Sequence, residues 1–269
     1  MTEFSVNFEN SIYLKTAQTG AYPNRLNWRS ELLLARNLDA IQNKKVLDIA
    51  CHDGRFSYAC LKLGAKHITG VEGRQPLVDS AEKNLETLGF PKDKYNFICG
   101  DIFDKLTDFE EGDFDTILCL GFFYHTIRQI ELLQQIKRLN PQYFILDTTV
   151  FVEPKAMKIV RLVSKRANWF FERFKINGVL RRLLGKTLNF NPLPSSNYLM
   201  FNHENHERGS NTIESHGVKA SPTESLVEKL LQVYGFKVSP ILWKSKGIQD
   251  WRDIEDYKND GRVSYIASL

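Results

Sequence analysis

Between Lys45 and Glu72 the chain follows a pattern that few architectures can accommodate. The run Lys45-Val46-Leu47-Asp48-Ile49-Ala50 is apolar, carries one acid, and gives way to the turn Cys51-His52-Asp53-Gly54. A helical pattern begins with Phe56, and a second strand-like run, His67-Ile68-Thr69-Gly70-Val71, ends in Glu72. Strand, tight turn, helix and strand in this order read as a βαβ unit. The turn at the first strand's carboxyl end lets a ligand approach the backbone. An acid at the tip of the next strand can accept a pair of hydroxyls.

The spacing also separates two nucleotide cofactors. A dinucleotide turn wants small residues at positions 50, 52 and 55, and position 55 is Arg. Small residues two apart, closing at Gly54, suit S-adenosylmethionine (SAM) better. On these residues the chain resembles the class I SAM-dependent methyltransferases, whose first motif reads acid-x-Gly-x-Gly-x-Gly. Ala50 and His52 stand where that family has its first two glycines. The resemblance implies SAM as the cofactor, with Ala50 and Gly54 as backbone positions where a misplaced Cβ would block the ligand. It assigns Asp48 to the methionine end, where a carboxylate favours the ammonium group, with a turn acid as the alternative. His52 either lines the methionine pocket or caps the helix that follows. Glu72, followed by Gly73, is assigned to the ribose, with a solvated strand-end acid as the alternative. In Cys99-Gly100-Asp101-Ile102-Phe103, Asp101 and the N–H of Ile102 are assigned to adenine, unless Asp101 simply caps a short helix.

Apolar runs at 45–50, 67–72, 95–99, 114–120 and 143–148 predict five strands, with helices near 54–63, 76–88 and 126–139 between them. Gly64, Gly89 and Asn140-Pro141 supply the stops. The first 44 residues predict a helical segment, broken at Tyr22-Pro23-Asn24-Arg25. Ser221-Pro222-Thr223-Glu224 predicts a helix start, followed by a closing strand pair at 236–242 and 262–269. The resemblance then implies an α/β, Rossmann-like, seven-stranded and mostly parallel sheet. Its last strand is antiparallel, helices cover both faces, and a helical and loop insertion follows the fifth strand. The expected organisation is an N-terminal helical segment (1–44), a SAM-binding core (45–149), an insertion covering the substrate site (150–220) and a C-terminal completion of the sheet (221–269). Within the insertion, helix is expected through 155–175 and looser chain from 189 to 220.

Leu120 ends the fourth strand, and Gly121-Phe122-Phe123-Tyr124-His125 follows it. In the family this loop faces the transferable methyl. His125 is the candidate general base because an unperturbed imidazole titrates near neutrality, with capping of the next helix as its structural alternative. Tyr124 is the candidate to bind the acceptor or close the pocket. His203 and His206, in Asn202-His203-Glu204-Asn205-His206-Glu207, read as a substrate-side polar loop. They lack the i, i+4 pairing and apolar context of a zinc site, so no metal is expected.

Charge is distributed unevenly. Residues 155–186 hold ten Lys or Arg and the single acid Glu172, a net +9. The whole chain carries +4, so the remainder is at −5. Trp169, Phe170, Phe171 and Phe174 interleave with these charges. Such a segment suits an anionic small-molecule substrate, RNA or an anionic surface, or is an amphipathic lid. The four cysteines sit in apolar or motif segments and read as reduced, and no apolar run approaches the ~20 residues of a membrane span. A cytoplasmic protein is expected. The reading is a methyltransferase acting on oxygen or nitrogen of a small or medium-sized, anionic or neutral, acceptor. Two rivals stand beside it. The loop Leu120–His125 is similar to that of the wobble-uridine tRNA transferases that use a carboxylated SAM, and a non-catalytic SAM-fold binding protein is the other.

Overall fold

The computed structural model describes residues 3–17, 21–154, 197–203 and 217–269. His206, the basic segment 155–186 and the helix expected through 155–175 lie outside them. An N-terminal turn of helix, α1 (Tyr13–Thr16), precedes α2 (Pro23–Leu33) and a 3₁₀ stretch (Ala35–Ala40). The first half of the sheet then alternates strictly. The order is β1 (Lys45–Ile49), α3 (Arg55–Lys62), β2 (His67–Glu72), α4 (Gln75–Thr87), β3 (Tyr95–Cys99), α5 (Ile102–Thr107), β4 (Thr116–Leu120), α6 (Gln129–Leu139) and β5 (Tyr143–Thr149). After these come β6 (Leu199–His203), β7 (Val218–Pro222), α7 (Glu224–Val233), β8 (Lys237–Pro240), a further turn of helix, α8 (Glu255–Lys258), and β9 (Arg262–Ser268).

Seven strands form one sheet in the order β3-β2-β1-β4-β5-β9-β8. The first five are parallel, and β9 runs antiparallel to both β5 and β8. The strands read as continuous apolar runs because both faces are covered. On β1, Val46 joins the core on one face, while Leu47 and Ile49 join the core on the other. Gly70 sits at the closest approach beside β3. A Cβ there would lie 2.4 Å from the Phe97 ring and 2.8 Å from Cys51 Sγ. The order reverses at β1–β4, the switch point outside which an open α/β sheet binds its ligand.

Four local expectations change. Tyr22–Arg25 is a helix start, since Pro23 occupies the first helical position, where its missing N–H costs nothing. Thr223, rather than Ser221, is the N-cap of α7, and Pro222 belongs to β7. The 220/221 boundary therefore falls within a strand. Part of the stretch expected to be loose is an antiparallel ribbon of β6 and β7, from Leu199↔Pro222 to His203↔Val218. Finally, α6 starts at Gln129 because the Thr126 hydroxyl accepts the Arg128 N–H and holds the preceding turn.

Candidate active site

The turn after β1 coils through three left-handed residues, Ala50 (φ 55°), His52 (φ 55°) and Gly54 (φ 78°). Every second residue of the motif thus adopts the backbone that glycine takes freely. Ala50 and His52 adopt it at a steric cost of about 1 kcal/mol each. Gly54 is the N-cap of α3 with no side-chain cap, so His52 does not cap that helix. The His52 ring instead meets Arg55, whose Nη2 lies 2.9 Å from Nδ1. Arg55 also clasps Asp53 (Nε–Oδ1 2.7 Å), filling the position where a dinucleotide turn needs a small residue. Burial pushes the Asp53 carboxyl up, but His52 and Arg55 outweigh it and hold the group below the carboxylate range.

These residues line a cavity of about 270 Å³ at the carboxyl edge of the sheet. Asp48, Ala50, His52, Glu72, Leu120, Tyr124 and His125 all face it. The buried Asp48 accepts a hydrogen bond from Ser57 Oγ at 2.7 Å, and burial raises its carboxyl to about 7. An ammonium group placed against it would restore the carboxylate. Glu72 is also buried. Its Oε2 accepts the His52 backbone N–H at 3.1 Å, and its Oε1 accepts both the N–H and Nε of Arg74, at 3.2 and 2.8 Å. One carboxylate thus ties the motif turn to the end of β2 and keeps lone pairs for a diol. A zwitterionic ligand with an ammonium and a ribose fits this donor and acceptor set.

Five expected positions do not line the cavity. Gly54 packs against α4, where an added Cβ would lie 3.0 Å from Ala81 Cβ. Gly73 accepts from Cys99 Sγ. Asp101, exposed at the end of β3, caps α5 by accepting the Phe103 N–H at 2.7 Å, and Ile102 is buried. His203 is exposed on β6 and stands apart from the cavity wall. The loop after β4 is well held. Gly121 N–H donates to Asp147 O, His125 N–H to Phe122 O, and Gln129 Nε2 bridges Phe123 O and Ala220 O. The Tyr124 and His125 rings lie 4.1 Å apart.

The sequence reading missed the arginines. Arg25 and Arg29 from α2, and Arg262 from β9, complete the far wall. Arg29 Nη2 and Arg262 Nη1 both donate to Asp147 Oδ2, at 2.7 and 3.1 Å, while Ser264 Oγ donates to Oδ1 at 2.7 Å and Tyr257 also donates. Burial pushes the Asp147 carboxyl up, but Arg262 and Arg29 more than reverse it. A signal was present, because Asp147 interrupts the apolar run Tyr143-Phe144-Ile145-Leu146, as Glu72 ends its own.

Residues 46–141 match the family model of a methyltransferase domain. A tRNA U34 carboxymethyltransferase of Nautilia profundicola is 35% identical over 119 residues, covering 42% of this chain and 36% of that protein. A ubiquinone biosynthesis O-methyltransferase of Actinobacillus pleuropneumoniae is 30% identical over 154 residues, covering 54% and 65%. The chain spans less than two thirds of the length of these curated relatives. Among solved structures, the N-terminal domain of EvdMO1, crystallised in the presence of SAH and D-fucose, superposes with a TM-score of 0.57 at 13% identity. That match covers 92% of this chain and 83% of the other, a likeness of fold. Motif turn, strand order and family match agree: residues 46–141 carry a class I SAM-dependent methyltransferase domain.

Proposed function

We propose that this protein transfers a methyl group from SAM to an oxygen or nitrogen of a small or medium-sized acceptor. The observation that carries the reading is one cavity faced by Asp48 and Glu72 from one side and by Tyr124 and His125 from the other. SAM supplies an electrophilic methyl on a sulfonium. Asp48 holds the ammonium end and Glu72 the ribose, with Ala50 and His52 shaping the turn beneath. Asp101 and Ile102 keep their proposed place at adenine, one strand beyond Glu72, since Glu72 is in register with Cys99. Tyr124 orients the acceptor. His125 takes the proton that an O–H or N–H acceptor must lose.

Calorimetry tests this. SAH, the demethylated product, should bind, and NAD should bind far more weakly. Glu72→Ala should weaken SAH by ~1–3 kcal/mol, the scale of a lost hydrogen bond to a charged acceptor. NAD binding tighter than SAH would sink the reading. The tRNA-modifying alternative draws on the relative from Nautilia profundicola and on the basic segment 155–186, and salt-sensitive tRNA binding would favour it.

A further inference from the structure

The two halves of the cavity differ in how their charges are matched. On the β1–β2 side, Glu72 faces Arg74 and Asp53 faces Arg55. On the β5–β9 side, three guanidinium groups, of Arg25, Arg29 and Arg262, are held by only two carboxylates, Asp147 and Asp256. That cluster therefore carries one net positive charge. Its hydrogen bonding is incomplete as well. Asp147 already accepts from Arg29, Arg262, Tyr257 and Ser264. Arg262 spends Nη1 on Asp147 and Nε on Asp256. Its Nη2, and Nη1 of Arg29, have no acceptor among the described residues, and Arg29 Nε is buried without one. Both side chains are more than nine-tenths buried and line the cavity. Arg29 Nε is shut off from the cavity, whereas Arg262 Nη2 and Arg29 Nη1 are not solvent-excluded, and an anion reaching them supplies the charge-assisted acceptors the cluster lacks.

Topology says which ligand brings it. Arg262 opens β9 opposite Thr149, at the end of β5, on the opposite side of β1 from Glu72 on β2. Its guanidinium carbon lies 5.6 Å from the centre of the Tyr124 ring, on the acceptor side. We propose that the methyl acceptor is a small carboxylic acid, whose carboxylate docks on Arg262 and Arg29 beside Tyr124. The proposal rests on the methyltransferase reading above. One surplus charge matches a monoanion, whereas a phosphomonoester brings nearly two negative charges. The planar fork of arginine matches the two oxygens of a carboxylate.

The experiment is calorimetry on SAH-saturated protein with benzoate, its neutral isostere benzamide, and inorganic phosphate. Benzoate should bind at least tenfold tighter than benzamide and tighter than phosphate. Arg262→Gln should weaken benzoate at least tenfold without changing SAH affinity. Should that variant not fold, Arg262→Lys keeps the charge between Asp147 and Asp256 but loses the fork, and benzoate should weaken severalfold. Equal binding of benzoate and benzamide would overturn the proposal. So would tighter binding of phosphate, displacement of SAH by benzoate, or unchanged benzoate affinity in a folded Arg262 variant. SAH bound with benzoate refused overturns the carboxylate alone, whereas failure to bind SAH overturns the methyltransferase reading.

Discussion

At the scale of single residues, the site depends on groups held where water would not leave them. Asp48 is the clearest case, because burial raises its carboxyl to about 7. A raised acid contributes stability fully below its unfolded value, near 4, and loses it as pH rises through 7. Cofactor binding should run the opposite way, since the ammonium needs the carboxylate. SAH affinity should fall by about tenfold between pH 8 and pH 6, and binding at pH 6 should release a proton. Asp48→Asn should bind weakly with a flat profile, and a flat profile in the parent protein would remove the ammonium from Asp48. His125 belongs to the same scale. His125→Ala should lower turnover by ~10²–10⁴ while leaving SAH affinity nearly intact. A loss below about threefold, too small for a general base, would leave it a structural role. The left-handed turn explains why the motif was legible despite two substituted glycines. The positions repeat every second residue, and Ala50 and His52 take the backbone that glycine would.

At the scale of elements, the parallel strands were legible because burial on both faces leaves almost no polar residue inside them. The buried acids that do interrupt them are each held by a side-chain donor, Asp48 by Ser57, Glu72 by Arg74 and Asp147 by Arg29. What could not be read were partners far apart in the chain. Arg29 and Asp147 are separated by 118 residues, and no local pattern at Arg29 announces the ion pair. The ribbon escaped for another reason. Val218-Lys219-Ala220 is short and only partly apolar, and it holds the loop after β4 through Ala220 N–H, which donates to Tyr124 O. Asp147 joins α2, β5 and β9 by ion pairs and packs with α8 through Tyr257. Asp147→Asn strips two buried arginines of their shared carboxylate and should destabilise the fold by about 3–5 kcal/mol. Denaturant unfolding would measure it, and a loss under about 1 kcal/mol, the worth of an exposed pair, would show the cluster to be solvated.

At the scale of the molecule, the sheet divides the labour. Strands β1 to β3 carry the residues proposed for the cofactor, while β4, β5 and β9 carry the loop and the arginine wall. No helix among the described residues is long and apolar enough to cross a membrane. The excess charge of residues 155–186 is expected to bear on partner choice rather than on the cofactor. Replacing Lys165, Arg166, Arg181 and Arg182 together should weaken an anionic partner. For RNA, it should cut the slope of log affinity against log salt by about 3. SAH affinity should not change; loss of SAH with the partner retained would move the segment to the cofactor side. The antiparallel β9 has a consequence of its own for biosynthesis. Arg262 leaves the ribosome 115 residues after Asp147, so the emerging chain can assemble β1 to β5 with a buried acid that has only Arg29 for company. Domains form as they are synthesised, N-terminal parts first. A nascent chain arrested before residue 262 should therefore hold SAH while the arginine wall still lacks Arg262. The chain would then acquire the proposed donor pocket before the proposed acceptor side was complete.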